Sequence, residues 1–230
     1  DLHSFPTRRS SDLGNLRAGH DAAAAREVIA AGVRLADEAV RRFEAKHPEA
    51  QVLIAGGLGP YGAYLADGSE YTGAYDVDIP EDSGFQEVHR PRIEVLAGQG
   101  VSLFALETLP RLDEAQALAG MVRDLVPSAE CWVSFQVRPD GGHLADGTPL
   151  AEAAGWVEGE ESVVAVGINC VAPDVVDRAL PVLRAATAKP LVAYPNSGDL
   201  YDPMTKTWRV GEERGGLITK IGRASCRERV

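Results

Sequence analysis

Apolar positions along the chain follow two alternating rhythms. Short, nearly continuous apolar runs, VLIAGGLGP, VSLFALET, CWVSFQVR, VVAVGINC and PLVAYPN, are separated by longer stretches with helical spacing. The spacing predicts a first helix over AAAAREVIAAGVRLADEAVRRFEAKH, ended by Pro48, with Val28, Ala31, Leu35, Ala39 and Phe43 recurring on one face. Further helices are predicted from about Ser83 to Ala97, over DEAQALAGMVRDLV with a cap at Leu112 before Asp113, near Leu150 to Val157, and from Pro173 to Ala186.

Buried apolar strands that alternate with helices predict a parallel sheet covered on both faces. Small or polar residues gather where the apolar runs end: Gly59, Glu107, Arg138, Cys170 and Asn196. In a (β/α)8 barrel those ends ring one active site. An open doubly wound sheet also binds ligands at its strand ends, so counting strands leaves both architectures open. GGLGPYG does not reproduce the dinucleotide-binding G-x-G-x-x-G pattern, because Pro60 and a long tyrosine-rich loop stand where a helix should open.

With 45% hydrophobic residues the chain can build a sizeable core, and no apolar run is long enough to span a bilayer. The net charge of −11 disfavours nucleic acid and anionic membrane surfaces as partners. Both ends stand apart from the rest. The C-terminal IGRASCRERV, written as the codons ATC GGA AGA GCG TCG TGT AGG GAA AGA GTG, has a reverse complement that encodes HSFPTRRSSD, the segment His3 to Asp12. Two segments that read as opposite strands of one DNA sequence, itself resembling a sequencing adapter, are expected to be translated adapter. Residues 1–13 and 221–230 are therefore set aside, leaving 14–220 as the domain to be explained. The two decapeptides hold five arginines against two acids, so the remainder is more acidic still. Of the three cysteines, Cys226 falls in the C-terminal segment. Cys131 and Cys170 make no disulfide framework and point to a reducing, cytoplasmic setting.

On pattern alone, Cys170 after its apolar run reads as a small buried hydrophobe and Glu107 as a helix cap or an arginine partner. Asn169 and Asn196 are strand-end amides able to orient ligands or substrate. Tyr61, Tyr64, Tyr71 and Tyr75 either fold their loop onto the rim or offer aromatic faces to a cation. Cys131 opens a strand at the far end and reads as packing. His89 and His143 lack metal-ligand spacing and read as helix-surface and loop residues, and Asp146-Gly147-Thr148-Pro149 reads as a turn into a helix.

Six segments, GPYGAYLADGSEYTGAY, HRPRIEVL, ETLP, DGTPL, VGINC and YPNSG, taken in this order and at these spacings, resemble the homocysteine S-methyltransferases, above all the S-methylmethionine-using branch. The resemblance runs from about Gly14 to Gly216. It implies a (β/α)8 barrel of which strands three to seven are present, hence an incomplete barrel. It also implies a zinc ion held by three thiolates, one of them Cys170 and the other two an adjacent pair in a Gly-Gly-Cys-Cys motif that this sequence does not contain. By the same resemblance Glu107 binds the homocysteine α-amino group, and Asn169 and Asn196 are candidate substrate-orienting residues. The implied reaction moves a methyl group from S-methylmethionine or S-adenosylmethionine to homocysteine, forming methionine. A chain without the paired cysteines is expected to be inactive on its own. Two other readings remain open, a metal-independent barrel lyase using Glu107 and Asn196 and a non-catalytic homocysteine-binding module. Zinc dependence of activity separates the first, and zinc-free homocysteine binding favours the second.

Sequencing the source locus with independent primers is expected to return neither terminal decapeptide; recovering both from genomic DNA overturns the adapter reading.

Overall fold

The computed structural model describes residues 22–65, 67–75 and 83–196, together with the backbone of two short strands at 200–202 and 207–209. In chain order the elements are α1 (Ala22–Glu44), β1 (Gly56–Leu58), α2 (Tyr61–Leu65), a 3-10 turn (Ser69–Tyr71), α3 (Ser83–Gly98), β2 (Leu103–Leu109), α4 (Leu112–Leu125), β3 (Glu130–Phe135), α5 (Leu150–Gly159), β4 (Val163–Asn169), α6 (Pro173–Ala186) and β5 (Leu191–Tyr194). These five strands form one sheet in the order β1-β2-β3-β4-β5, every pair parallel. The short β6 (Leu200–Asp202) and β7 (Thr207–Arg209) pair antiparallel with each other. Among the described residues no helix is long and apolar enough to cross a membrane.

The two faces of the sheet differ in chemistry. One set of alternating positions, including Phe104, Leu106, Cys131, Val133, Phe135, Val166 and Ile168, joins α3 to α6 in a single buried hydrophobic cluster. The opposite set, Ala105, Glu107, Trp132, Ser134, Ala165, Gly167, Asn169 and Tyr194, is mostly small or polar and lies outside that cluster. The expectation of helices over both faces is thus corrected: the helices cover one face, and the other is the concave side of an arc. Curvature follows from one contact. β2 and β5 are three strands apart, roughly 14 Å on a flat sheet, yet the Tyr194 hydroxyl of β5 reaches the Glu107 carboxylate of β2 at 3.2 Å. Side chains that stand perpendicular to a flat sheet could not meet over that span. Gly167 on β4 helps close the arc, because a Cβ there would overlap the Val192 carbonyl oxygen of β5. The fold is α/β, an incomplete (β/α)8 barrel.

Two predicted features differ. On α1 the Val28–Leu35–Phe43 stripe is exposed, Leu35 to 68%, while Ala25 and Ala30 are buried and Ile29 and Val33 pack against the core. Alanines let this helix lie close to its neighbour, so the small face rather than the bulky one turns inward. Leu112 is the first residue of α4, not its cap; Arg111 holds the cap position, and the Asp113 carboxylate accepts the Glu114 N–H at 2.8 Å.

The loop after β1 is tied down by a buried carboxylate outside the candidates drawn from the sequence. Glu114 of α4 is fully buried. Its Oε1 accepts the Tyr61 N–H at 2.5 Å and the His89 Nε2 proton at 2.9 Å, and its Oε2 accepts the Tyr75 hydroxyl at 2.7 Å. His89, expected on a helix surface, is fully buried as well. The signal was in the periodicity: Phe85, His89, Arg92 and Leu96 share one face of α3, and Glu114, Leu118 and Val122 one face of α4, so polar residues sit at core positions. Arg92 has only donors and points one at His89 Nδ1, 3.2 Å away. Nδ1 is therefore the acceptor, Nε2 carries the proton, and the ring is neutral.

Burial pushes the His89 pKa down, with Arg92 adding to the effect, against the opposing pull of Glu114. The folded chain keeps the ring neutral while the unfolded chain takes up a proton near the ordinary histidine value of about 6.5. Below that pH the unfolded state binds more protons, so stability present above it is lost as the pH falls, with a limiting slope of about 1.4 kcal/mol per pH unit for one proton. Denaturation midpoints are expected to drop between pH 7 and pH 5 and to flatten in His89→Gln; an equally steep drop in the variant overturns the assignment.

Candidate active site at the strand ends

The C-terminal end of β2 departs from regular pairing. The register with β3 shifts between Glu107 and Leu109, and Thr108 in the bulge has φ of 63°. A β-branched residue in that conformation costs about 1–3 kcal/mol. The bulge changes which way the chain faces. Strict alternation would turn Thr108 toward the helices, whereas the extra residue lets Glu107 and Thr108 both serve the concave side and returns Leu109 to the core.

Thr108 spends that freedom on β4. Its N–H donates to Asn169 Oδ1 at 3.0 Å, and Asn169 Nδ2 donates back to Thr108 Oγ1 at 2.7 Å. Both side chains also aim at Cys170: Asn169 Nδ2 lies 3.3 Å and Thr108 Oγ1 3.9 Å from Sγ, with the sulfur as acceptor. Cys170 has φ of 54°, the second non-glycine residue described in the left-handed region. Its backbone is clasped against β5, since its N–H donates to the Tyr194 carbonyl at 3.2 Å and the Asn196 N–H donates to the Val171 carbonyl at 2.9 Å.

Glu107 is 5% exposed and accepts the Tyr194 hydroxyl at Oε2. Trp132 Nε1 in turn donates to the Tyr194 oxygen at 3.5 Å. Burial, reinforced by the Glu107 charge, pushes the Tyr194 phenol up to about 12, so it remains a proton donor at neutral pH. The predicted set therefore divides. Glu107, Asn169 and Cys170 come together through Thr108 and Tyr194, while Asn196 is exposed and joins by its backbone. Thr108 and Tyr194 were missed. Their signal was only their place within ETLP and YPNSG, since neither backbone conformation nor a contact across the arc shows in periodicity.

Most of the softer candidates make structural contacts; Tyr71 instead faces solvent near Cys170, its phenol pKa raised by burial of part of the ring and by the Glu70 and Cys170 charges. Tyr61, Tyr64, Tyr75 and Phe85 pack ring against ring, and Arg111 lies 5.1 Å over the Tyr75 ring while donating to the Gly73 carbonyl at 3.2 Å. Tyr71 is the exposed one of the four. His143 is a loop residue 2.9 Å from Asp140, and Asp146 Oδ1 accepts the Thr148 N–H at 2.8 Å in the expected turn. Cys131 is fully buried, and its thiol is pushed up to about 12 by burial.

Cys170, half-buried at the strand ends and presented as an acceptor, is chemically suited to a soft metal. Among the described residues no group of three or more His, Cys, Asp or Glu is arranged to hold a metal ion. These residues thus fit one ligand of such a site.

A five-stranded parallel arc with polar strand ends and a presented thiol defines an incomplete α/β barrel with its chemistry at one rim. The family profile described as homocysteine S-methyltransferase matches residues 4–224. The chain belongs to the homocysteine S-methyltransferase family. It is 44% identical over 201 residues to the homocysteine S-methyltransferase of Escherichia coli K12, covering 87% of this chain and 63% of that relative. It is 41% identical over 194 residues to the homocysteine S-methyltransferase YbgG of Bacillus subtilis 168, covering 83% and 60%. It thus spans less than two thirds of either relative's length. The crystal structure of the Escherichia coli homocysteine methyltransferase MmuM in its metallated form superposes with a TM-score of 0.76 at 42% identity, over 87% of this chain and 68% of that one. The oxidized form gives 0.75 at 44% identity, over 81% and 63%.

Because Cys131 is sealed in the core and Cys170 is not, brief alkylation of the native chain is expected to label Cys170 and spare Cys131. Peptide mass spectrometry reads the result, and equal labelling of the two contradicts the described burial.

Proposed function

We propose that the full-length protein is a homocysteine S-methyltransferase that moves the methyl group of a sulfonium donor, S-methylmethionine or S-adenosylmethionine, to homocysteine sulfur, forming methionine. Residues 14–220 are read as the native barrel portion. The observation that carries the proposal is the cross-strand cluster in which Thr108, next to Glu107 on β2, bonds Asn169 and Cys170 at the end of β4. It ties the strand that carries the Glu107 carboxylate to the strand that ends in the Cys170 thiol.

In this reading the Glu107 carboxylate accepts hydrogen bonds from the substrate ammonium, an interaction strengthened by charge on both partners. Asn169 fixes the Cys170 sulfur by its amide, and Asn196, two residues past β5, lies at the same rim. Cys170 serves as one thiolate of a zinc site, the remaining thiolates coming from the cysteine pair that the family resemblance implies. Bound zinc supplies an ionised but still nucleophilic homocysteine sulfur at neutral pH. The donor methyl is already activated by its positive charge, so the protein's work is chiefly alignment. The partners are small molecules, with neither nucleic acid nor membrane involved, and the location is cytoplasmic, in keeping with free Cys131 and Cys170.

In the full-length protein Cys170→Ser is expected to abolish bound metal and methionine formation together. Glu107→Gln is expected to raise the homocysteine KM about 10- to 100-fold while retaining the metal. Metal analysis beside a methionine assay decides: an active, zinc-loaded Cys170→Ser protein refutes the ligand role, and loss of metal in Glu107→Gln refutes the division of labour.

A further inference from the structure

The concave face holds a second hydrogen-bonded chain, of which the proposed reaction uses only the last member: Trp132 on β3, Tyr194 on β5 and Glu107 on β2. Its direction is fixed by inventory. An indole nitrogen only donates, so the Tyr194 oxygen accepts from Trp132; the Ser134 hydroxyl, also against that oxygen, can donate or accept, whereas a carboxylate only accepts. The phenol's own proton therefore goes to Glu107 Oε2, 3.2 Å away, with Trp132 and Ser134 as the donors to Tyr194. The carboxylate is thereby gripped from a strand three positions across the arc, and its rotamer no longer depends on β2 alone.

We propose that Tyr194 is the positioning residue for the Glu107 carboxylate, and through it for the ammonium group of the amino-acid substrate. The inference rests on the reading of Glu107 given above. A long acidic side chain otherwise spreads over several rotamers, and ordering it on binding would subtract from affinity. A hydroxyl held in place by Trp132 meets that ordering cost in the folded protein instead. The competing account is that Tyr194, opposite Asn169, merely fills the concave space that Gly167 leaves open two residues earlier on β4. The two differ in chemistry. Filling is done by the ring, which phenylalanine supplies, whereas positioning is done by the hydroxyl and concerns only ligands that carry an amine.

The experiment compares equilibrium binding of L-homocysteine with that of 4-mercaptobutanoate, which keeps the thiol and carboxylate and lacks the α-amino group. It uses the metal-loaded full-length protein and its Tyr194→Phe and Glu107→Gln variants. The native protein is expected to prefer homocysteine, and Glu107→Gln to lose that preference. Tyr194→Phe is expected to lose about tenfold of it, the scale of one hydrogen bond to a charged group, with 4-mercaptobutanoate binding unchanged. Unchanged binding of the analogue also shows that the variant is folded. If Glu107→Gln erases the preference and Tyr194→Phe keeps it whole, the positioning role is overturned while the reading of Glu107 stands. If Tyr194→Phe weakens both ligands equally, the hydroxyl is structural and the proposal is overturned. If the native protein shows no preference, or Glu107→Gln retains it, the reading of Glu107 falls and takes the inference with it.

Discussion

The reciprocal bond between Thr108 and Asn169 is the constraint on which the site depends. It passes over β3, joining the ends of two strands that are not neighbours in the sheet, with both partners donating and accepting. Two left-handed backbone conformations, at Thr108 and Cys170, lie on either side of it. Each is unfavourable for a residue with a side chain, and net hydrogen-bond contributions of about 0.5–1.5 kcal/mol apiece offset the cost only when several act together. The backbone clasp of Cys170 and Val171 by β5 supplies the rest. Without the amide bridge Thr108 would lose the acceptor for its N–H and the donor to its hydroxyl at once.

Much of the architecture was legible because periodicity reports burial directly. β4 and α6 coincide with VVAVGIN and with Pro173 to Ala186, since both have one continuous apolar face or run bounded by turn chemistry. β1 was legible only as an apolar run. It pairs over three residues, and Val52 and Leu53 ahead of it are exposed, so hydrophobic composition overstated its length. α1 was read correctly as a helix with its faces in the wrong order, because large residues score as buried even when a neighbouring alanine face permits closer packing.

Of the site, Glu107, Asn169 and Cys170 stood out by lying where apolar runs end, but their partners did not. Thr108 owes its part to a backbone torsion, and Tyr194 to curvature that brings β5 toward β2. Neither quantity is carried by residue type. Glu114 and His89 were different: charged and polar residues in register with Leu118 and Phe85 were visible, yet His89 was read as surface and Glu114 was passed over. A polar residue at a core position of one helix asks for a complement on the helix it packs against, and here α3 and α4 answer each other.

Gly167 shows how little material such an arrangement turns on. It lies on β4 two residues before Asn169 and opposite Val192 of β5, and the space beside it is already occupied by backbone. A single methyl group there would have to be accommodated by strand separation, since a carbonyl cannot swing aside as a side-chain tip can. The close approach of β5 to β4, on which the reach from Tyr194 to Glu107 draws, therefore depends on a missing carbon atom. Geometry at the rim is in this sense decided one layer below it, by the one residue on the strand that contributes no surface of its own.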